Sequence, residues 1–281
     1  MVKKIIACSD IHIRNLRRQD EYQIQLRKFI AECEKYAEEY GPESIRIVVA
    51  GDILHNKLDI SGEAYTIASW FLRKLDGIAK TIVIAGNHDM NMSNTGRMDP
   101  ISAIFSMYSV SSGDVLKQTI YLDRELGYES GCLEDDNVVW CLYSSFDNFA
   151  RPNIEEYRIK YPDATFVGLF HGELKSARTD SGYVSENGYD AGFFEGIDFG
   201  ILGHIHRRQC IRNNGVPLVY CGSLIQQDHG ENISSHGYVV WDVEKQDYSE
   251  VDIPNEGYGF YTFQINDIED IKEDKEEIIN L

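Results

Sequence analysis

The hydrophobic pattern of the first 85 residues alternates short apolar runs with longer amphipathic segments. Continuous apolar runs at residues 3–8, 45–50 and 81–85 predict buried strands. Apolar residues recur at helical spacing over 22–40 and 62–75, and a Gly-Pro pair marks the end of the first of these predicted helices. This alternation favours parallel strand pairing, with helices covering the sheet.

The second half of the chain is richer in strand-like runs. They lie at residues 138–143, 165–170, 199–202, 218–221 and 238–242. Two packed sheets with helices outside accommodate both halves, so the predicted fold class is α/β. We find no internal repeat and no Pro-rich linker.

Five short polar motifs follow predicted strands. They are Asp10-Ile11-His12, Gly51-Asp52, Gly86-Asn87-His88-Asp89, His171-Gly172 and Gly203-His204-Ile205-His206. Because open α/β sheets commonly bind ligands at the carboxyl ends of strands, we expect these motifs to gather there. Carboxylate, amide oxygen and imidazole together suit hard and borderline divalent cations. The set therefore predicts a two-metal hydrolytic site for phosphate esters.

The spacing of the motifs suggests a role for each residue. We assign Asp10, His12, Asp52 and His206 to one ion, and Asp52, Asn87, His171 and His204 to the other. A hydroxide between the metals would attack phosphorus in line. We expect His88 to stabilise the phosphoryl oxygen or protonate the leaving group, oriented by Asp89. Gly-Asp or Asp-x-His alone is typical of a turn or a surface pair, and His171 alone of a buried histidine, whereas Gly-Asn-His-Asp after an apolar strand is specific, and five motifs in order argue against the structural account.

These residues resemble those of the calcineurin-like metallophosphoesterases over residues 1 to about 245, with no ligand position substituted. The resemblance implies a four-layer α/β/β/α sandwich of two mixed sheets. It also implies a dinuclear site that usually prefers manganese, held by the same residues as in the assignment above.

Two features resemble the SbcD-type recombination and repair nucleases. His55 lies three residues after Asp52, where the resemblance implies a role in exonuclease action; the alternative is a core or helix-cap histidine. The segment from Gly222 to Glu231 resembles the "GS…GE" stretch of that branch, unless it is a generic loop. The resemblance implies a DNA exonuclease with some single-strand endonuclease activity. It also implies an SMC-like (SbcC-type) ATPase partner and dimerisation.

The end of the chain departs from that branch. SbcD-type nucleases usually continue into a capping domain that holds DNA and a segment that docks the ATPase. We expect a catalytic domain over residues 1–250 and a short acidic extension over 251–281, without a full cap. We expect residues 266–281 to form a solvated terminal helix, the alternative being a docking segment for a partner.

The charge of the chain complicates a role on DNA. With 27 Lys+Arg against 46 Asp+Glu, the formal net charge of −19 repels polyanions, so a nuclease needs a basic groove or a partner. Arg207, Arg208 and Arg97 are candidates for binding phosphates that flank the scissile bond. Lys175 and Arg178 are further candidates.

Two other functions compete with the nuclease. A small-substrate phosphodiesterase or phosphatase of the same superfamily fits the negative charge and the missing cap. A non-catalytic scaffold on this fold usually lacks metal ligands, whereas none is missing here.

The sequence also bears on the compartment. No apolar run approaches the ~20 residues that a membrane span needs. The apolar run near Met1 is too short for a signal peptide and leads into the first motif. Six cysteines without paired spacing or a Cys-x-x-Cys motif are typical of reduced core thiols, so we expect a cytoplasmic protein without membrane contact.

Overall fold

The computed structural model describes residues 1–91, 93–94, 96–110 and 116–261. The strands are β1 (Lys4–Cys8), β2 (Ile45–Ala50), β3 (Thr81–Ile84), β4 (Thr119–Tyr121), β5 (Gly131–Asp135), β6 (Val138–Tyr143), β7 (Thr165–His171), β8 (Phe199–Gly203), β9 (Gln209–Asn213), β10 (Val216–Tyr220), β11 (Gly237–Asp242) and β12 (Asp247–Asp252). The helices are α1 (Gln19–Tyr40), α2 (Gly62–Asp76), α3 (Pro100–Val110), α4 (Leu122–Glu125) and α5 (Ile154–Lys160). The predicted acidic helix over 266–281 lies outside the described residues.

The strands form two mixed sheets of six, which confirms the predicted fold class. The first has the order β12-β11-β1-β2-β3-β4, and β1 to β4 are parallel. The second has the order β5-β6-β7-β8-β10-β9, with a parallel centre of β6, β7, β8 and β10. Antiparallel strands complete one edge of the first sheet and both edges of the second.

The sheets pack face to face, and helices cover the outer face of the first. In β1, Ile5 and Ala7 belong to the core between the sheets, whereas Ile6 and Cys8 belong to the core beneath α1 and α2. A third core, around α5, covers the outer face of the second sheet. Strands buried on both faces carry apolar residues at successive positions, which explains the continuous runs in the sequence.

The boundaries of the first two helices follow local chemistry. Helix α1 ends at Gly41, which takes a left-handed φ of 84° before Pro42. Helix α2 begins after Ser61, whose hydroxyl accepts a hydrogen bond from the N–H of Ala64 at 3.2 Å.

Several short or half-exposed elements were not predicted, namely α3, α4, α5, β4, β5, β9 and β12. Strand β12 crosses the predicted boundary at residue 250 and pairs with β11 along its whole length. Sheet pairing therefore extends to Asp252.

The six cysteines are free thiols; all are buried except Cys210, which is half-buried. Cys132 and Cys141 lie across from each other on β5 and β6, with sulfurs 3.6 Å apart, a proximity that their sequence spacing did not indicate. None of the helices within the described ranges is long and apolar enough to cross a membrane.

Candidate active site

The predicted metal ligands meet where the two sheets present the carboxyl ends of their central strands. The motifs that begin at Asp10, Gly51 and Gly86 follow β1, β2 and β3, which are neighbours in the first sheet. His171 ends β7, and His204 follows β8, its neighbour in the second sheet. Packing of the sheets brings these two sets together across the interface.

Asp52 lies at the centre of the cluster. Its Oδ2 is 3.4 Å from Nε2 of His12 and 3.3 Å from Nε2 of His171. Its Oδ1 accepts a hydrogen bond of 2.8 Å from the backbone N–H of His88. One carboxylate oxygen thus lies between histidines assigned to different ions, as a bridging ligand requires.

Asp10 is the most deeply placed carboxylate of the cluster and is fully buried. Its Oδ1 lies 3.8 Å from Nε2 of His206, 3.9 Å from Nε2 of His12 and 4.0 Å from Nε2 of His171. The backbone N–H of His204 and the hydroxyl of Ser9 donate hydrogen bonds to its carboxylate. These contacts fix the carboxylate among three imidazoles.

The histidines are oriented by hydrogen bonds to their outer nitrogens. Nδ1 of His171 donates to the carbonyl of Ala50 at 2.7 Å, and Nδ1 of His206 lies 2.5 Å from Oε1 of Glu231. Nε2 of both rings consequently faces the cluster. Such second contacts fix the tautomer and ring orientation of metal-ligating histidines.

The donor set fits divalent cations. Asp10, His12 and His206 form one group of converging donors, and Asp10, Asp52 and His171 form another. Nε2 of His171 is buried and has no hydrogen-bond partner of acceptable geometry, although Asp52 is close. A bound cation would satisfy this nitrogen and the adjacent carboxylates.

The electrostatics of the cluster agree with this fit. Burial opposes ionisation of Asp52, but the neighbouring imidazoles, chiefly His171, outweigh it and lower the pKa of Asp52. Burial likewise disfavours the charged form of His171, but the carboxylates of Asp52 and Asp10 outweigh it and raise the pKa of His171. The buried carboxylates therefore attract positive charge into the cluster.

The backbone at the site is unusual. Asp10, His12, Asp52 and His204 all have positive φ, between 51° and 93°, which non-glycine residues seldom adopt. A Cβ added at Gly86 would lie closer to Oδ1 and to the backbone nitrogen of Asp52 than van der Waals contact allows. The motifs thus combine strained turns with a close approach of two loops.

His55 and His88 lie beside the cluster. Their rings stack with centroids 5.2 Å apart, and Nδ1 of His88 donates to the carbonyl of His55 at 2.6 Å. The carbonyl of His55 therefore orients the ring of His88, in place of the predicted contact from Asp89. The buried carboxylate of Asp89 instead accepts hydrogen bonds from the backbone N–H groups of Ile53, Leu54 and Gly86, which join the second motif to the third.

These groups surround one cavity, the central pocket. Five predicted ligands, His12, Asp52, Asn87, His204 and His206, line it. Arg14, His55, His88, Gln227 and Asp228 complete its lining. Asp10 and His171 lie deeper and are completely enclosed by protein.

Comparison with known proteins identifies the family. The model of the calcineurin-like phosphoesterase superfamily domain matches residues 4–246. The chain belongs to the calcineurin-like phosphoesterase superfamily. Membership of this superfamily indicates a metal-dependent phosphoesterase, in agreement with the donor groups of the site.

A relative and two solved structures are similar to this calcineurin-like chain. An uncharacterized protein of Acanthamoeba polyphaga mimivirus is 34% identical over 274 residues, covering 95% of this chain but only 19% of that protein. The chain thus spans about a fifth of that relative. An archaeal phosphodiesterase has a TM-score of 0.41 at 15% identity, covering 89% of this chain and 99% of its own. A putative 5′-nucleotidase from Staphylococcus aureus has a TM-score of 0.47 at 14% identity, covering 97% and 58% respectively.

The arginines predicted to bind substrate occupy three different environments in this calcineurin-like domain. Arg207 is half-exposed in a second cavity, the side pocket, with Nε 3.7 Å from Asp180. The guanidinium of Arg208 is buried against Asp252 and the carbonyl of Val251, where it joins the residue before β9 to β12. Arg97 is exposed in a groove separate from the central pocket. Lys175 and Arg178 are exposed and line neither pocket.

Two residues of the site had no assigned role in the sequence. Glu231 holds His206, and Arg14 lines the central pocket through its contact with His55. Arg14 stands two residues after His12, but the left-handed φ of His12 interrupts the extended backbone, so the alternation of side chains was not a usable signal. Glu231 ends the segment that resembles the SbcD-type stretch, but its partner could not be inferred from spacing.

Proposed function

We propose that the chain is a metal-dependent phosphodiesterase that cleaves DNA as an exonuclease with single-strand endonuclease activity. The observation that carries this proposal is the stacked pair of His55 and His88 in the central pocket, directly beside the metal ligands. His55 is the feature that resembles the SbcD-type nucleases, and its position in the pocket, away from any core or helix cap, supports a role near substrate.

The residues of the site have distinct roles in this proposal. Asp10, His12, Asp52, Asn87, His171, His204 and His206 would hold two divalent cations. When bound, such ions activate water and neutralise charge on the phosphoryl oxygens. Because Nδ1 of His88 is bonded to the carbonyl of His55, its Nε2 is the nitrogen available to the substrate. From the imidazolium form, in which both ring nitrogens carry a proton, His88 Nε2 would donate a hydrogen bond to a phosphoryl oxygen or a proton to the leaving oxygen.

The proposal also specifies the metal ion, the cellular process and the binding partners. Manganese suits a site that mixes carboxylates with imidazoles. Work in recombination or repair in the cytoplasm, with an SMC-like ATPase and as a dimer, follows from the resemblance of His55 and the segment ending at Glu231. An ATPase partner would also supply the positive surface that a chain of net charge −19 lacks.

One observation favours a smaller substrate. The side pocket, next to His204 and His206, is lined by Asp180, Asp228 and Glu231. These carboxylates would repel a long polyanion more strongly than a mononucleotide or an aryl phosphate. A small-substrate phosphodiesterase is therefore the second candidate.

The deciding experiment measures manganese-dependent degradation of end-labelled single- and double-stranded DNA. The variant Asp52→Asn removes the bridging carboxylate and should abolish degradation. Asp247→Asn makes the same change of charge on an exposed residue of β12 and should not. Hydrolysis of an aryl phosphodiester without any degradation of DNA would overturn the nuclease and establish the second candidate.

A further inference from the structure

Among the described residues that line the central pocket, Arg14 is the single lysine or arginine, and its contacts leave its charge available. Its terminal nitrogens contact Nε2 of His55 at 3.2 Å and the carbonyl of Gln227 at 3.3 Å. Its Nε is buried and, within the part of the chain that the structure describes, has no hydrogen-bond partner. Neither contact is to a carboxylate.

The other arginines at this end of the molecule differ in this respect. Arg207 faces Asp180, and Arg208 faces Asp252. Within the residues that the structure describes, no carboxylate lies within 4.0 Å of the guanidinium of Arg14. In a chain with 46 acidic residues, a half-buried guanidinium without a carboxylate partner indicates a place for an anion that comes from outside.

The position of Arg14 defines which anion this is. The ring of His55 stands between Arg14 and the metal ligands, with Nε2 near Arg14 and Nδ1 3.4 Å from Nδ1 of His12. The guanidinium is therefore separated from the metal ligands by the width of one imidazole ring, that of His55. A phosphate held by the metal ligands would lie on the inner side of that ring, and a phosphate held by Arg14 on the outer side.

We propose that Arg14 binds the phosphate next to the scissile one and so selects substrates that carry consecutive phosphates along a nucleotide strand. The inference rests on the proposed phosphodiesterase activity and deepens it. A guanidinium offers five N–H donors, and Arg14 uses two of them on His55 and Gln227. The second N–H group of each terminal nitrogen suits the non-bridging oxygens of a phosphodiester.

The test uses matched chromogenic substrates. The p-nitrophenyl ester of thymidine 5′-phosphate is compared with the same ester carrying a 3′-phosphate. A second pair places the ester at the 3′ position, with and without a 5′-phosphate, so that both strand polarities are covered. In each pair the scissile group is constant and only the flanking phosphate changes.

We expect the unmodified protein to prefer the doubly phosphorylated member of one pair by about tenfold in kcat/KM, the value of one charge-assisted hydrogen bond. Arg14→Gln should reduce this preference toward one, and Arg14→Lys should retain part of it. Arg17→Gln is the matched control, since Arg17 is exposed, lies three residues away and loses the same charge. Its preference should equal that of the unmodified protein.

A binding measurement separates this role from a structural one. In the His88→Asn background with manganese, the affinity for a short single-stranded oligonucleotide is measured against salt concentration. Loss of one phosphate contact lowers the slope of log K against log salt by about 0.7 for single strands. We expect that decrease for Arg14→Gln and not for Arg17→Gln.

The outcomes are distinct. An equal loss by Arg14→Gln on both members of each pair, or a preference that survives this substitution, would overturn the inference. If Arg14→Gln fails to fold, Arg14→Lys becomes the test. Full retention of the preference by Arg14→Lys, with a normal melting temperature, would overturn the proposed binding of the flanking phosphate by the planar guanidinium. Preference for the flanking phosphate without degradation of DNA would overturn the nuclease but support Arg14.

Discussion

Oε1 of Glu231 lies 2.5 Å from Nδ1 of His206, and Oε2 of the same carboxylate accepts the backbone N–H of Gln227 at 2.7 Å. Glu231 is nearly buried, with its side chain 10% exposed. The carboxylate therefore holds the imidazole so that Nε2 faces Asp10 and His12. It makes Glu231 a positioning residue for one of the two predicted ions.

Glu231→Ala should weaken binding of that ion by about 10- to 100-fold, the usual cost of removing such a partner of a ligating histidine. Glu231→Gln should lose less, because its amide oxygen can still accept from Nδ1. Calorimetric titration of the metal-free protein with manganese would measure both ions separately. Glu244→Ala, on an exposed turn, is the control. Two ions bound with unchanged affinity by Glu231→Ala would contradict this role.

His88→Asn should retain metal but lose hydrolysis. The backbone N–H of this position bonds to Asp52 and is left in place by the substitution, whereas the ring packs edge-on against His12. The imidazole itself reaches the substrate side, so kcat should fall by about 10²- to 10⁴-fold, the range of general acid–base catalysis. Metal content by mass spectrometry and kcat on an aryl phosphodiester are measured together.

The matched control for that substitution is His229→Asn. His229 is exposed and its ring packs against Phe260 outside the central pocket. Its kcat should remain normal. Intact turnover by His88→Asn would refute the assigned role, and loss of metal from that variant would show that the ring has a structural part in the cluster.

The strands that carry the ligands could be predicted because burial on both faces leaves a plain signal. In β1, Ile5 and Ala7 face the second sheet while Ile6 and Cys8 face the helices, so every position from Ile5 to Cys8 is apolar. Strand β12 was not predicted, since its residues are mostly exposed and polar. Pairing with β11 forms it, and that pairing has no periodic signature in the sequence.

The partners of the site residues could not be predicted in the same way. Spacing indicated that His88 and Asp89 act together. The buried carboxylate of Asp89 instead accepts hydrogen bonds from three backbone N–H groups. The partners that do orient His88 and His206, the carbonyl of His55 and the carboxylate of Glu231, are brought by folding from 33 and 25 positions away. Such contacts depend on tertiary packing, which local patterns do not encode.

Gly86→Ala should disrupt the site although it changes no ligand. The added Cβ would overlap Oδ1 and the backbone nitrogen of Asp52. Overpacking of this kind costs about 1–3 kcal/mol of the free energy of unfolding, and displacement of Asp52 should reduce metal content. Gly62→Ala is the control, because nothing lies within 4 Å of its Cβ position at the start of α2. Equal stability and metal content in both variants would contradict the close packing.

Asp135 links the two sheets at the end remote from the ligands. On β5 of the second sheet, it accepts two hydrogen bonds from Arg46 of β2, at 2.7 and 2.9 Å, and one from Lys80 at 2.8 Å. Trp140 donates a fourth at 3.2 Å. Burial opposes ionisation, but these cationic partners outweigh it and lower the pKa of Asp135 to about 2.

This depressed pKa predicts a stability that depends on pH. Because the carboxylate is more acidic in the folded state, its contribution is complete above its ordinary pKa of 3.8 and is lost as the pH falls toward about 2. The expected loss is about 2 kcal/mol of the free energy of unfolding, measured by urea denaturation at several pH values. Asp135→Asn should be less stable at neutral pH, because Arg46 then lacks its counterion, and should lack this part of the acid-dependent loss. Curves for Asp135→Asn and for the exposed control Asp247→Asn that fall in parallel between about pH 4 and pH 2 would show that the lowered pKa does not contribute to stability.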